Sequence, residues 1–72
     1  MAISKQHQQL GRNIHKLRAE RDLTLSELSY RADIDESYLS SIERGEANAT
    51  TAKIFAVAKA LRAKVSDLFR GF

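Results

Sequence analysis

The segment between residues 24 and 43 constrains the fold most, because its capping signals predict two short helices joined by a tight turn. Thr24 stands three residues before Glu27. In this capping box, each side chain can accept a hydrogen bond from the other residue's backbone N–H. It predicts a helix from about Leu25 to Ala32. Residues 33–35, Asp-Ile-Asp, then interrupt the helix, because the first Asp tolerates left-handed backbone and the second can cap a next helix over about 36–43.

The apolar residues on either side of this segment recur with helical spacing. Leu10, Ile14 and Leu17 share one face of a first helix from about Lys5 to Arg21, for which Ser4 is a suitable N-cap. Two further helices are predicted at about 52–61 and 65–70, with apolar faces formed by Ile54, Phe55, Val57, Ala58 and Leu61, and by Val65, Leu68, Phe69 and Phe72. The prediction is an all-α, five-helix domain over residues 1–72, with a helix-turn-helix at about 24–43.

Charge is distributed unevenly along the chain. The 72 residues carry 12 Lys and Arg against 9 Asp and Glu, a net charge of +3, which is compatible with nucleic-acid binding but does not require it. Residues 33–46 hold five acidic residues and one basic residue, a balance of −4. The remainder of the chain has a balance of +7. The predicted turn and the helix after it are therefore acidic within a basic protein.

The sequence has no arrangement of residues that is typical of catalysis, metal binding or membrane insertion. His7 and His15 have no Cys and no clear third ligand nearby, so no metal or other cofactor is expected. No His lies near the serines of the third helix to activate a nucleophile. The polar start and the lack of a long apolar run argue against a signal peptide or a membrane span, and the lack of Cys fits the cytoplasm.

The chain resembles the XRE/Cro/phage-repressor family of helix-turn-helix proteins. The residues that carry the likeness extend from the first helix to the last: Leu10-Gly11, Leu17-Arg18, Leu23-Thr24, Ser26-Glu27-Leu28, Ile34, Leu39-Ser40, Ile42-Glu43-Arg44-Gly45, Asn48, Ala58-Lys59-Ala60-Leu61, Val65 and Asp67-Leu68-Phe69. The resemblance implies a DNA-binding transcription regulator, bacterial or phage-encoded, without enzymatic activity. It also implies that the third helix enters the major groove of double-stranded DNA.

The resemblance assigns roles to individual residues. It implies base contacts from Glu36, Ser37, Tyr38 and Ser41, and phosphate contacts from Thr24, Ser40, Arg44 and Asn48. Arg31 and Lys53 are further candidates for contacts with the DNA phosphates. It implies an ion pair between Arg18 and Glu43 that joins the first helix to the third. Tyr38 has a second interpretation, packing on a neighbouring helix.

The sequence departs from the family pattern at three places on the face that the resemblance assigns to DNA. Leu25 replaces a Gln that commonly holds a phosphate, and Glu36 replaces Gln or Arg. A carboxylate cannot donate to guanine but can accept from cytosine N4. Glu46 and Ala47 follow Gly45, where basic residues are frequent.

The last helix and its flanks carry more apolar side chains than a short terminal helix needs. One interpretation is that they complete the core and leave a frayed tail. The other, which we predict, is a homodimer interface of Phe55, Val65, Leu68, Phe69 and Phe72, since this class binds two-fold symmetric operators. The sequence also resembles the controller proteins of restriction-modification systems, in the runs Leu28-Ser29-Tyr30-Arg31-Ala32, Ile34-Asp35 and Tyr38-Leu39-Ser40. A general repressor or a prophage regulator is the alternative. The acidic segment keeps one alternative open, a protein-interaction module, such as the neutralising partner of a toxin, with weak or no DNA binding.

Overall fold

The computed structural model describes residues 4–72 and shows five helices within them. They are α1 (Lys5–Glu20), α2 (Leu25–Ala32), α3 (Glu36–Glu43), α4 (Thr51–Leu61) and α5 (Val65–Leu68). The predicted all-α fold is confirmed, and α2 and α3 begin and end where the sequence predicts. α5 is two residues shorter than expected, because the backbone of Phe69 (φ −106°, ψ 21°) has left the helical region.

Side-chain caps explain where the helices begin. Ser4, Thr24, Asp35 and Thr50 each accept a hydrogen bond from the backbone N–H three residues later. The capping box of α2 is complete, with the Thr24 N–H donating to Glu27 Oε1 at 2.8 Å. At α5 the cap comes from Asp67, which accepts from the Lys64 N–H at 3.0 Å. The first residue of each helix is therefore determined by local cap hydrogen bonds that the sequence encodes.

α1 is the element around which the other helices assemble. It packs against α3, α4 and α5, and α2 packs against α3 and α4. The core that they enclose consists of Leu10, Ile14, Leu28, Ala32, Ile34, Leu39, Ile42, Val57, Ala58, Leu61 and Leu68.

The buried face of α4 is narrower than the sequence suggested. Val57, Ala58 and Leu61 are buried, but Phe55 is 56% exposed and Ile54 is only partly buried. Phe55 precedes Val57 by two positions, which places it about 200° around the helix axis from that residue. The prediction that Phe55 shares one apolar face of this helix with Val57 is therefore wrong.

Gly11 permits an unusually close approach of α1 to α3. A Cβ atom at this position would lie 2.5 Å from the carbonyl oxygens of both Ile42 and Glu43, and 2.8 Å from the Glu43 carbonyl carbon. Real Cβ atoms do not come this near to backbone atoms. The last turn of α3 is thus seated directly on the backbone of α1.

Candidate DNA interface

The turn between α2 and α3 fixes how the third helix is presented. Asp33 adopts left-handed backbone (φ 56°, ψ 49°), as its position in the sequence predicts. The next residue, Ile34, is buried, and its N–H donates to the Ser29 carbonyl at 2.9 Å. Ser29 is itself buried and donates its hydroxyl to the Ser26 carbonyl at 2.8 Å. The turn is therefore anchored to the core, and α3 is held at a fixed angle to α2.

One shallow depression combines residues predicted to contact bases with residues predicted to contact phosphates. It is lined by Leu25, Glu36, Ser37, Ser40 and Arg44. Glu36 and Ser37 are exposed in the first turn of α3. The start of α2 and the exposed face of α3 thus meet at one surface, and the apolar Leu25 stands in it beside four polar side chains.

Tyr38 ties α3 to the loop that follows it. Its hydroxyl donates to the Asn48 backbone carbonyl at 2.6 Å, and its ring is partly buried against the core. The Ser41 hydroxyl donates to the Tyr38 carbonyl at 2.7 Å. Of the two interpretations of Tyr38, the structure shows the packing contact. Its hydroxyl proton and that of Ser41 are engaged within the protein.

Arg44 is engaged by two neighbours on the same surface. Its Nε donates to Glu46 Oε1 at 3.1 Å, and its Nη1 donates to the Ser40 hydroxyl. By contrast, the Thr24 hydroxyl serves as an acceptor for the Glu27 N–H at 3.0 Å, which leaves its proton able to donate to a phosphate.

Arg31 and Lys53 lie apart from the depression on α3. Arg31 lines a second depression together with Arg21 and Arg62, at the C-terminal ends of α1, α2 and α4. Lys53 lies in the first turn of α4 and is half-buried. Neither side chain lines the surface on which Glu36 and Ser37 stand.

The predicted ion pair between Arg18 and Glu43 is present and bidentate. Arg18 Nε lies 2.8 Å from Glu43 Oε2, and Arg18 Nη2 lies 3.0 Å from Glu43 Oε1. Arg18 Nη1 also donates to the Leu23 carbonyl at 3.0 Å. The hydrogen bonds that Arg18 donates to the Glu43 carboxylate raise the pKa of the guanidinium, against a smaller opposing effect of burial. This pair holds the C-terminal end of α3 on α1 and so helps to fix the position of α3.

The residues predicted to form a dimer interface divide into three groups. Phe55 and Phe72 are exposed, at 56% and 58%. Val65 and Phe69 are partly buried against the core, and the Phe69 and Phe72 rings meet edge to face at 5.2 Å. Leu68 is fully buried within its own protomer, so its assignment to the interface is wrong. α5 needs this side chain to attach itself to α1 and α4.

Two polar residues of α1 hold the C-terminal segment, and sequence reasoning missed both. Asn13 Nδ2 donates to the carbonyls of Leu68 and Arg70, each at 2.8 Å. Gln9 Nε2 donates to Asn13 Oδ1 at 2.9 Å and supports it. The available signal was two amides four residues apart, which places them on the same side of a helix.

Within residues 4–72, no helix has the length and apolar character needed to cross a bilayer. The same part of the chain holds no group of three or more His, Cys, Asp or Glu side chains arranged to bind a metal ion.

Comparison with known proteins identifies similar sequences. A family model described as helix-turn-helix (HTH_3) matches residues 14–68. An uncharacterized HTH-type transcriptional regulator of Sinorhizobium fredii, y4dJ, is 40% identical over 52 residues, which cover 72% of this chain and 68% of the relative. The immunity repressor protein of Bacillus phage phi105 is 40% identical over 59 residues. That alignment covers 82% of this chain but only 41% of the repressor.

Solved structures with the same fold include two restriction-modification controller proteins. C.AhdI from Aeromonas hydrophila superposes with a TM-score of 0.86 at 28% identity, covering 88% of this chain and 96% of the controller. C.Esp1396I, in a tetramer with its natural 35 base-pair operator, gives a TM-score of 0.84 at 29% identity. That match covers 92% of this chain and 87% of the controller. Both likenesses extend well beyond α2 and α3.

Proposed function

Because the chain belongs to the helix-turn-helix family of the phage-repressor type, we propose that it is a sequence-specific DNA-binding transcription regulator without catalytic activity. It acts in the cytoplasm of a bacterial cell and binds a palindromic operator as a homodimer. The observation that carries the proposal is the anchored α2–turn–α3 unit, which presents Glu36 and Ser37 at the exposed start of α3. A helix end of this kind fits the major groove, where base edges can be distinguished.

The proposed contacts follow from the chemistry of the depression. Glu36 accepts from cytosine N4, and Ser37 donates or accepts beside it, while Ser41 and the ring edge of Tyr38 contact neighbouring bases. Phosphate contacts come from Thr24, Ser40, Arg44 and Asn48, with Arg31 and Lys53 at the margin. These phosphate contacts set the register on the duplex, and the base contacts specify the sequence.

The proposed dimer uses the apolar side chains that the protomer leaves uncovered. Phe55 and Phe72 provide the exposed area, and Val65 and Phe69 support them from the partly buried layer. Two-fold pairing places the two α3 helices about one helical turn apart on DNA, which matches half-sites separated by about 10 base pairs. The controller protein C.Esp1396I was solved as a tetramer on its operator, which supports an oligomeric binding mode.

Selection from a random duplex library at near-physiological salt tests the proposed function. The expected result is a palindrome with half-sites about one turn apart. In a Glu36→Gln variant, the preference for cytosine should be lost at one position of each half-site, because an amide can also donate. Glu20→Gln, at an exposed Glu of α1, is the control and should select the wild-type palindrome. Failure of the folded wild-type protein to enrich any sequence would refute the proposal.

A protein-interaction module is the second candidate function, because the segment that includes α3 carries more acidic than basic residues. Residues 33–46 have a balance of −4, and the basic Arg44 in this segment is paired with Glu46. A mobility-shift assay on random duplex at low salt separates the two candidates. Complete absence of binding would favour the interaction module, since non-specific affinity depends on phosphate contacts alone.

A further inference from the structure

Glu46 is held beside Arg44 by the backbone as well as by its charge. The Gly45 N–H donates to the Ile42 carbonyl at 3.0 Å, and the Glu46 N–H donates to the Ser41 carbonyl at 2.9 Å. With Gly45 at φ 75°, these bonds form a Schellman motif that ends α3. The chain therefore turns back on itself, which brings the Glu46 carboxylate within 3.1 Å of Arg44 Nε.

The position of Glu46 is unfavourable for a carboxylate unless a cation lies beside it. A negative charge just past a helix C-terminus is opposed by the helix dipole. α3 has no basic residue in its last turn, and Arg44 is the cap residue that follows. Helix termination thus gives no reason for an acidic residue at position 46, whereas the contact with Arg44 gives one.

We propose that Glu46 competes with DNA phosphate for Arg44 and thereby limits the affinity of the protein for DNA. In the free protein, the guanidinium is oriented over the depression on α3 by Ser40 and neutralised by Glu46. A phosphate that binds Arg44 must displace this carboxylate. The inference rests on the proposed function, because it assigns a limiting role to a residue at the same DNA-binding surface.

The first test compares Glu46→Gln with Glu20→Gln. Each variant removes one negative charge. The two sites are matched, because both carboxylates are about half exposed, at 49% and 53%, and both lie beside an arginine. On a random 20 base-pair duplex, Glu46→Gln should bind about two- to fivefold more tightly than Glu20→Gln, the range expected for an exposed ion pair.

A double-mutant cycle tests whether the effect passes through Arg44. In an Arg44→Gln background, Glu46→Gln should no longer tighten binding relative to Glu20→Gln. Equal tightening with and without Arg44 would show direct repulsion between Glu46 and DNA, which overturns the proposal. Equal affinities of Glu46→Gln and Glu20→Gln in the wild-type background would overturn it as well.

Thermal denaturation of the same variants excludes a folding effect. Glu46→Gln should be about as stable as the wild type, because the lost contact with Arg44 and the relieved conflict with the dipole of α3 offset each other. A less stable protein that binds more tightly would indicate a rearranged α3 and would count against the proposal. If wild type and all variants fail to bind any duplex, the proposed function itself fails, which is distinct from wild-type binding without a Glu46 effect.

Discussion

Replacement of Gly11 by Ala decides whether α1 and α3 are truly in backbone contact. In an exposed helix interior this change stabilises a protein by about 1 kcal/mol, because Ala is the better helix former. In this fold the new methyl group would lie 2.5 Å from the carbonyl oxygens of Ile42 and Glu43. Helix propensity therefore predicts that Gly11→Ala raises the free energy of unfolding, whereas packing predicts that it lowers it.

The expected magnitude follows from the distance that the two helices must separate. Ordinary contacts of a Cβ atom begin at 3.4 Å, so α3 must move away by about 0.9 Å. Overpacking of this kind costs about 1–3 kcal/mol, and the upper end applies because backbone carbonyls cannot rotate aside. After subtraction of about 1 kcal/mol for helix propensity, we expect Gly11→Ala to lower the free energy of unfolding by about 2 kcal/mol. For a domain of this size, this lowers Tm by about 8–16 °C.

Urea unfolding followed by circular dichroism, at one fixed protein concentration, provides the assay. Protein concentration must be constant because dimerisation would add to the apparent stability. Lys16→Ala and Lys16→Gly measure the propensity difference at an exposed position of the same helix, and Ala should exceed Gly by about 1 kcal/mol. A Gly11→Ala protein as stable as the wild type, or more stable, would refute the close approach of α1 and α3.

Three further changes test the ion pair, the capping box and the turn. Glu43→Ala should destabilise the fold by about 3 kcal/mol in urea unfolding, since it strands the largely buried Arg18 guanidinium; a loss below 1 kcal/mol would contradict a structural role for the pair. The hydrogen bond donated by the Thr24 backbone N–H lowers the pKa of Glu27. The contribution of Glu27 to stability is therefore present above its unfolded pKa of about 4.3 and is lost as pH falls through its lower folded pKa. The stability difference between wild type and Glu27→Gln, measured by urea unfolding, should therefore shrink between pH 7 and pH 3, and a constant difference would disprove the linkage. Asp33→Gly should be more stable than wild type by about 0.5 kcal/mol and Asp33→Ala less stable by about 1 kcal/mol, because left-handed backbone penalises a Cβ atom. Thermal denaturation ranks the three proteins by Tm. The reverse order would contradict the left-handed backbone of Asp33.

The helix-turn-helix could be predicted because its signals are local. The capping box at Thr24 and Glu27, the left-handed Asp33 and the cap at Asp35 each act within three or four residues. Such short-range hydrogen bonds are visible in the sequence as residue types at fixed spacing. For this reason the bounds of α2 and α3 agree with the prediction, whereas α5, which has weaker signals, ends earlier.

The features that the sequence did not reveal depend on tertiary geometry. Leu68 was assigned to a dimer interface because an apolar stripe on a terminal helix does not show whether its own core or a second chain covers it. The Arg44–Glu46 contact depends on the Schellman turn, and the interhelical role of Gly11 depends on how closely two helices cross. Asn13 forms bonds across 55 and 57 residues of sequence, which no local pattern encodes.

The central position of α1 has a consequence for the spacing of DNA sites. One side of this helix seats α3 through Gly11 and Arg18, and its Asn13 holds the C-terminal segment that carries the proposed dimer surface. In such a dimer, α1 connects α3 to the surface where the two copies meet. One base pair inserted between half-sites displaces one of them by about 3.4 Å and rotates it by about 35°. A helix held at both contacts cannot follow that change, so such a dimer is expected to lose affinity for an operator whose half-sites are one base pair further apart.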